Sequence, residues 1–361
     1  MSDEKETAAS SAAGRRPAIP STGRQLTTFV FAILFIIPLG ILYREFFARQ
    51  GAGKVEVRQG AYHGWTNAVF LSSDTVEAVV VPEIGRVMQF RFKDEEGPFF
   101  ENAELFGKTA NPLASEWANF GGDKAWPSPQ SDWPLWTPRA WPPPPAFDAL
   151  PMAAELAEGR VLIHSAMDPL YNILVERTVR LSAEAPEMTI VTRFEKQAGV
   201  PAEAASSQLT NSVGIWIVTQ LKDPVGVYLP APKTSLFLEG YNRQSESLPA
   251  GLKRSEELVS LTRDPAASHK IGSDASSLVW VGAKVALRID SPRSPGSVYP
   301  DQGSSAEVYT NPDPMGYVEL EMLAPLQSLR AGDVLFQTNR YTLFRRTGGD
   351  PEAEAQRILR P

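Results

Sequence analysis

The feature that most limits the folds open to this chain is a series of short apolar or alternating runs, separated by turn residues, from residue 54 to residue 346. Alternation with a period of two is typical of half-buried β-strands, and long amphipathic helical patterns are almost absent. The sequence therefore predicts a mainly β protein, built as a large antiparallel β-sandwich. We predict strands at Val76–Val81, Arg86–Phe92, Arg160–His164, Asn172–Leu181, Met188–Glu195, Ser212–Gln220, Val225–Leu229, Ser235–Glu239, Leu278–Ile289, Ala306–Thr310, Tyr317–Leu323 and Val334–Phe344.

The N-terminal part of the chain contains a stretch without charged side chains at residues 26–43 (LTTFVFAILFIIPLGILY). A helix rises about 1.5 Å per residue, so this stretch is long enough to span the hydrocarbon core of a bilayer. We predict a disordered tail at 1–25, a transmembrane signal anchor at 26–43 and a linker at 44–54. The lipid bilayer is the expected partner of residues 26–43.

An anchor of this kind predicts a single-pass protein of the bacterial inner membrane, with the globular domain periplasmic or extracellular. The basic residues on the two sides of the span are nearly balanced in number, so this orientation rests on the usual behaviour of one N-terminal span ahead of a large domain. A cleaved signal peptide is the alternative. The sandwich is expected over 55–346, followed by a tail at 347–361 with a short helix at Pro351–Leu359 that has proline at its first position.

Composition excludes several classes of function. The chain has no cysteine, so it has no disulfide, no thiolate zinc site and no cysteine nucleophile. With three histidines and no convincing ligand spacing, we predict neither a metal nor another cofactor. The net charge is −7, and residues 1–54 are basic overall, so the rest is more acidic still. An acidic domain argues against a nucleic-acid partner.

The segment from residue 111 to residue 151 interrupts the strand pattern. It contains five of the eight tryptophans (Trp117, Trp126, Trp133, Trp136 and Trp141), and nine prolines lie between Pro127 and Pro151. We predict a long, stiff loop with neither strand nor helix. Indole faces stack well on sugar rings, so this loop indicates a carbohydrate or glycan as partner, and packing over the end of the sandwich is the alternative.

Several motifs resemble an uncharacterised bacterial domain family of the galactose mutarotase-like superfamily, which includes the aldose 1-epimerases. The resemblance spans roughly residues 60–346 and implies a β-supersandwich. Its motifs are GWTNAVFL (64–71), VVVPEIGRVM (79–88), NFGGDKAWPSPQ (119–130), EVYTN (307–311), YVELE (317–321), APL (324–326) and LRAGD (329–333).

The resemblance also implies a candidate site. Epimerases exchange anomers with a base and an acid, and use a glutamate near the C-terminus together with histidines. By motif order Glu321 matches the glutamate, and Glu319 is the alternative on the same strand face. Asp123 or Lys124 is the candidate replacement for the acid, although Asp123 could equally cap a turn. The candidate sugar-contacting residues are Trp126, Trp133, Trp136, Asn119 and Arg86.

The positions that match the epimerase histidines hold other residues in this chain. We interpret His63 as structural, His269 as a solvated loop residue and His164 as a core or sheet-surface residue. Glu307 is expected to face solvent. A membrane-anchored carbohydrate-binding domain is therefore the first hypothesis, an aldose 1-epimerase-like isomerase with Glu321 as base is the second, and an envelope scaffold protein without a ligand is the third.

Overall fold

The computed structural model describes residues 55–136, 140–198 and 212–360. The predicted tail, signal anchor and linker lie outside these ranges and stay predictions. Within the ranges, no helix has the length and apolarity needed to span a bilayer.

The described residues form 21 strands and three short α-helices. In chain order the strands are β1 (Glu56–Tyr62), β2 (Trp65–Ser72), β3 (Val76–Val81), β4 (Arg86–Phe92), β5 (Asp123–Ser128), β6 (Ala153–Ala157), β7 (Arg160–His164), β8 (Ile173–Leu181), β9 (Glu187–Lys196), β10 (Ser212–Lys222), β11 (Gly226–Pro230), β12 (Asn242–Arg243), β13 (Lys253–Arg254), β14 (Leu258–Leu261), β15 (His269–Ser273), β16 (Ser277–Val281), β17 (Val285–Asp290), β18 (Ala306–Thr310), β19 (Tyr317–Leu323), β20 (Gln327–Ser328) and β21 (Val334–Arg345). The α-helices are α1 (Trp133–Trp136), α2 (Pro145–Asp148) and α3 (Pro351–Leu359), and 3₁₀ turns occur at Pro82–Ile84, Ala103–Leu105 and Gln130–Asp132.

The strands belong to two antiparallel sheets, as predicted. The first has the order β1-β2-β3-β4-β5-β10-β19-β18-β15-β12, with β20 beside β10, and the second has the order β13-β14-β11-β16-β17-β21-β9-β8-β7-β6. The inner faces share one hydrophobic core that includes Ile217 and Val308 of the first sheet and Ile190 and Leu287 of the second. The protein is therefore a mainly β sandwich.

Burial patterns distinguish the outer surfaces of the two sheets. Strand β8 alternates buried and half-buried residues, which is typical of a sheet with one wet face. Strand β19 is buried along its whole length, so its outer face is covered as well. A separate apolar cluster with Trp65 and Phe120 covers the β1–β4 end of the first sheet, and helix α3 packs on the outer face of the second sheet.

Most strand predictions are confirmed, and β3, β4, β7, β18, β19 and helix α3 have the predicted bounds. The prediction for Ser235–Glu239 is wrong, because this segment forms bends and turns in which Asp274 accepts hydrogen bonds from Ser235 Oγ and the Leu236 amide. The run Leu278–Ile289 is a hairpin of β16 and β17 rather than one strand.

The prediction that 111–151 contains neither strand nor helix is also wrong, because β5, α1 and α2 lie there. Strand β5 contains Pro127, yet it is central, between β4 and β10. Strand β4 pairs with it only at Val87–Asp123, whereas β10 pairs along its full length. Beyond Asp123 the other edge of β5 therefore has no ladder partner in the described part of the chain, which allows a residue without an N–H.

The two glycines before β5 are required by the backbone. Gly121 has a φ of 91° and Gly122 a φ of 69°, values that favour glycine. A Cβ on Gly121 would lie 2.1 Å from the carbonyl oxygen of Phe100, and one on Gly122 would lie 2.7 Å from that of Val87. The Gly-Gly pair therefore allows the chain to enter the first sheet.

Candidate functional site

A cavity of about 430 Å³ lies over the first sheet. The side chain of Asp123 points to the second sheet, where it pairs with Arg177 of β8 and accepts a hydrogen bond from Tyr341 of β21. Since side chains alternate along a strand, Lys124 and Trp126 point to the opposite, outer face. The cavity is on this outer face, and its aromatic lining consists of Trp117, Trp126, Trp141, Trp216, Tyr309 and Tyr317.

A buried carboxyl–lysine cluster adjoins the cavity, which two of its members, Lys270 and Glu321, line. Glu321 and Glu307 are opposite one another in the β18–β19 ladder, so their side chains share a face. Lys270 Nζ lies 2.9 Å from Glu321 Oε2 and 2.6 Å from Glu307 Oε2. Glu321 Oε2 also accepts a hydrogen bond of 2.7 Å from Trp216 Nε1, and Gln244 Nε2 donates one of 2.6 Å to Glu307.

This cluster shifts two pKa values. Burial by itself lowers the pKa of Lys270, but the carboxylates of Glu307 and Glu321 outweigh it and raise that pKa. Burial raises the pKa of Glu307 to about 8, and the neighbouring Glu321 carboxylate acts in the same direction against the attraction of Lys270. Lys270 therefore stays an ammonium, held against the carboxyl groups of Glu307 and Glu321.

A second pair, Lys124 and Glu319, lies beside this cluster. Lys124 is 1% exposed, and its Nζ has no hydrogen-bond partner among the described residues and lies 3.7 Å from Glu319 Oε1. The same Nζ lies 5.0 Å from the ring centre of Trp126 and 5.4 Å from that of Trp117. Burial lowers the pKa of Lys124 to about 8, although Glu319 opposes the shift, and burial also raises the pKa of Glu319.

The tryptophans are held together by one carboxylate at the end of helix α2. Asp148 Oδ1 accepts hydrogen bonds from Arg86 Nη2 at 2.7 Å and from Trp126 Nε1 at 2.9 Å, while Oδ2 accepts one from Trp117 Nε1 at 2.7 Å. Trp141 stands edge-to-face against both indoles, with ring centres 5.2 Å from Trp117 and 5.9 Å from Trp126. Asp148 thus attaches the indole wall of the cavity, formed by Trp117, Trp126 and Trp141, to the sheet.

The structure brings together some of the residues predicted from the sequence. Glu319, Glu321 and Trp126 line the cavity, and Lys124, which is not a lining residue, has its Nζ 3.7 Å from Glu319 Oε1. Their predicted roles in binding or catalysis stay predictions.

The other predicted residues lie elsewhere. Asp123 is fully buried between the sheets, so it is not placed to act on a cavity ligand. Arg86 binds Asp148 and the Gly121 carbonyl, and the Asn119 side chain accepts from the Gly121 amide. Trp133 is fully buried and donates to the Pro127 carbonyl. The side chain of Trp136 is not among those described.

Two interpretations of polar residues were wrong. Glu307 is fully buried rather than solvent-facing, because it points into the covered outer face of the sheet. His269 is 4% exposed, lines the cavity and lies 2.9 Å from Asp264 Oδ2 through its Nε2. His63 stacks on Phe106, and His164 is a half-exposed residue of β7.

Lys270, Gln244 and Asp148 are not predicted by any pattern in the sequence. Gln244 and Lys270 come from a loop and a short strand without a periodic signal, and Asp148 is the last residue of the four-residue helix α2. The non-local pairing of β15 with β12 and with β18 brings Gln244 and Lys270 to the cavity. No group of three histidine, aspartate or glutamate side chains in the described ranges is placed to hold a metal ion.

Comparison with known proteins shows the fold class. No protein-family model matches the chain, and no curated protein is similar to it in sequence. A candidate aldose 1-epimerase from Escherichia coli K12 superposes with a TM-score of 0.50 at 11% identity, over 77% of this chain and 98% of the other. A galactose mutarotase-like protein from Lactobacillus casei ATCC 334 gives a TM-score of 0.50 at 7% identity, over 77% and 100%.

The two-sheet sandwich is thus the galactose mutarotase-like fold implied by the sequence motifs. At these identities the likeness establishes the fold alone. The narrower resemblance to one uncharacterised family stays a prediction.

Proposed function

We propose that the outer-face cavity binds an uncharged saccharide, and that residues 26–43 anchor the protein in the membrane. The observation that carries the first part is the cavity lining, in which the indoles of Trp117, Trp126, Trp141 and Trp216 surround the carboxylates of Glu319 and Glu321. Indole faces match the C–H faces of sugar rings, and carboxylates accept hydrogen bonds from hydroxyl groups. A volume of about 430 Å³ is in the range of small-ligand sites.

The charge balance of the cavity supports an uncharged ligand. Among the described residues that line the cavity, the lysine is Lys270, whose Nζ already contacts the carboxyl groups of Glu307 and Glu321 at 2.6 and 2.9 Å. An anionic sugar would have to compete with Glu307 and Glu321 for this ammonium group, and a buried carboxylate that loses its partner is costly. Neutral hydroxyl groups avoid this competition.

Trp141→Ala is expected to weaken saccharide binding by about 5- to 30-fold, which corresponds to the loss of one stacking platform. Trp141 suits the test because its side chain is 39% exposed, so its removal leaves most of the core intact. Glycan-array screening of the purified full-length protein identifies the ligand, and calorimetric titration measures the affinity. Phe336→Ala, at an exposed aromatic residue of β21 in the second sheet, is the control and should bind like the wild type.

The outcome that contradicts the proposal is equally specific. A full-length protein that is folded by circular dichroism and binds no glycan on the array has no saccharide site. Equal affinities for the wild type and Trp141→Ala would show that the Trp141 indole does not contribute to saccharide binding.

A second candidate function, sugar anomerisation, is favoured by the opposed pKa shifts of Lys124 and Glu319. Anomerisation needs one group that gives a proton and one that takes a proton near neutral pH. Burial lowers the pKa of Lys124 to about 8 and raises the pKa of Glu319. Glu321, the base expected from the epimerase resemblance, is instead held by Lys270 and Trp216.

If this pair is catalytic, anomerisation should be accelerated below pH 8 and lost as the pH rises through about 8, because Lys124 then loses the proton that it supplies through Glu319, the member of the pair that lines the cavity. Lys124→Met should lower the rate about 100-fold or more and remove the alkaline limb of the pH profile. Polarimetry with pure α-anomers of glucose and galactose measures the rate. The exposed Lys93→Met is the matched control. A wild-type rate equal to that in buffer refutes catalysis and leaves binding untouched.

A further inference from the structure

A second cavity, of about 470 Å³, lies beside the first over the same sheet. The two cavities share four lining residues, Gln130, Trp216, Gln244 and Lys270. The two cavities therefore adjoin, and we describe them as two compartments of one cleft. Each compartment has the volume of a small-ligand site on its own.

The two compartments differ in chemistry. The first is walled by indoles, whereas the second adds Ser131 and the side chains of Asp301 and Gln302, which are mostly polar. The first compartment therefore offers stacking surfaces, and the second offers hydrogen bonds. A ligand with repeated polar units and apolar ring faces matches both.

The polar wall is held in a defined conformation. Asp301 and Gln302 have φ values of 49° and 64°, in the left-handed region that non-glycine residues seldom adopt. The carbonyl oxygen of Asp301 accepts a hydrogen bond of 2.8 Å from Ser304 Oγ and a longer one from Gln244 Nε2. Gln244 thus links this loop to Glu307 of the carboxyl–lysine cluster.

The boundary between the compartments is also fixed. Trp216 is 4% exposed, its Nε1 is bonded to Glu321, and Lys270 Nζ lies 4.6 Å from its ring centre. Because these contacts hold the indole in place, the two compartments keep a constant separation. Such a geometry selects ligands by the spacing of their units.

We propose that the cleft binds an uncharged oligosaccharide of at least two units, with one ring in the indole-lined compartment and the next in the compartment of Ser131 and Gln302. This inference rests on the proposed saccharide site and extends it from one sugar ring to a chain. Among the described lining residues, Lys270 is the lysine of both compartments and is ion-paired with Glu307 and Glu321, so these residues offer no free ammonium group to an acidic sugar.

The test is calorimetric titration of the full-length protein with glucose and with α-1,4-, β-1,4- and β-1,3-linked gluco-oligosaccharides of two to four units. At least one linkage series should bind about tenfold more tightly than glucose. Gln302→Gly should remove most of this gain and leave glucose affinity unchanged. Glycine is chosen because it adopts a φ of 64° without strain, and Ser131→Ala is a second variant in the same compartment.

Asp94→Gly is the matched control, since Asp94 also has a left-handed φ, of 62°, and is exposed away from the cleft. Equal affinity for glucose and for every oligosaccharide, or an equal loss of both in Gln302→Gly, overturns the two-compartment inference while saccharide binding stands. Binding of neither glucose nor any oligosaccharide overturns the inference and counts against the saccharide site itself.

Discussion

Asp123→Ala is expected to lower the free energy of unfolding by about 3–5 kcal/mol, because it leaves a buried guanidinium without its counter-ion. Arg177 and Asp123 are both fully buried between the sheets. The Asp123 carboxylate also accepts hydrogen bonds of 2.6 Å from Thr219 and from Tyr341, and Arg177 Nη1 donates to the Asp123 carbonyl. An arginine cannot relieve the loss by giving up its proton.

Urea denaturation of the full-length protein, followed by tryptophan fluorescence, measures this effect. Glu95→Gln is the matched control, because it breaks an exposed ion pair between Glu95 (39% exposed) and Arg345 (62% exposed). It should leave the stability nearly unchanged. Adding Arg177→Met to Asp123→Leu should recover part of the loss, since no unpaired charge then remains. A loss no larger than that of Glu95→Gln would show that this pair does not hold the sheets together.

Asp148→Ala is expected to have the second large effect, a destabilisation of about 3–5 kcal/mol together with loss of saccharide binding. One carboxylate accepts hydrogen bonds from Arg86, Trp117 and Trp126, and Arg86 is 1% exposed. Its removal leaves a buried cation and two indole N–H groups without their acceptor. The indole wall then loses its attachment to the sheet, so affinity should fall even at temperatures where the variant is folded.

Glu116→Ala is the control for this prediction, because Glu116 is an exposed carboxylate one residue before Trp117. Asp148→Asn should be milder than Asp148→Ala, since the amide oxygen still accepts hydrogen bonds. Unfolding midpoints and titration at a temperature well below both midpoints separate stability from affinity. If Asp148→Ala binds saccharide as the wild type does, the wall does not depend on this carboxylate.

The strand framework could be predicted because period-two alternation is a local property. The run YVELEML at β19 places Val318, Leu320 and Met322 on the core side and both glutamates on the other side, as the structure has it. Ser235–Glu239 has a similar composition, but two hydrogen bonds to the distant Asp274 hold it in a loop. A local sequence pattern gives no information about such long-range hydrogen bonds, which replace the strand pairing.

The candidate site was predictable only in part, for the same reason. Glu319, Glu321 and Trp126 lie in the motifs that resemble the galactose mutarotase-like superfamily, and all three line the cavity. Lys270 lies in a polar stretch and reaches the site through the pairing of β15 with β12 and β18. Glu307 is buried because other residues cover the outer face of the sheet. Alternation along one strand assigns a side chain to a face but does not show whether that face is covered.

The two glycines that precede β5 bear on how proteins related to this one should be sought. Gly121 and Gly122 avoid collisions with neighbouring carbonyl groups, and Asp123 joins the sheets. A search profile centred on this motif would therefore retrieve polypeptides that share a scaffold, whatever molecules they recognise. Sorting such homologues by ligand requires comparing positions 141, 270, 302 and 319, which four separate segments contribute.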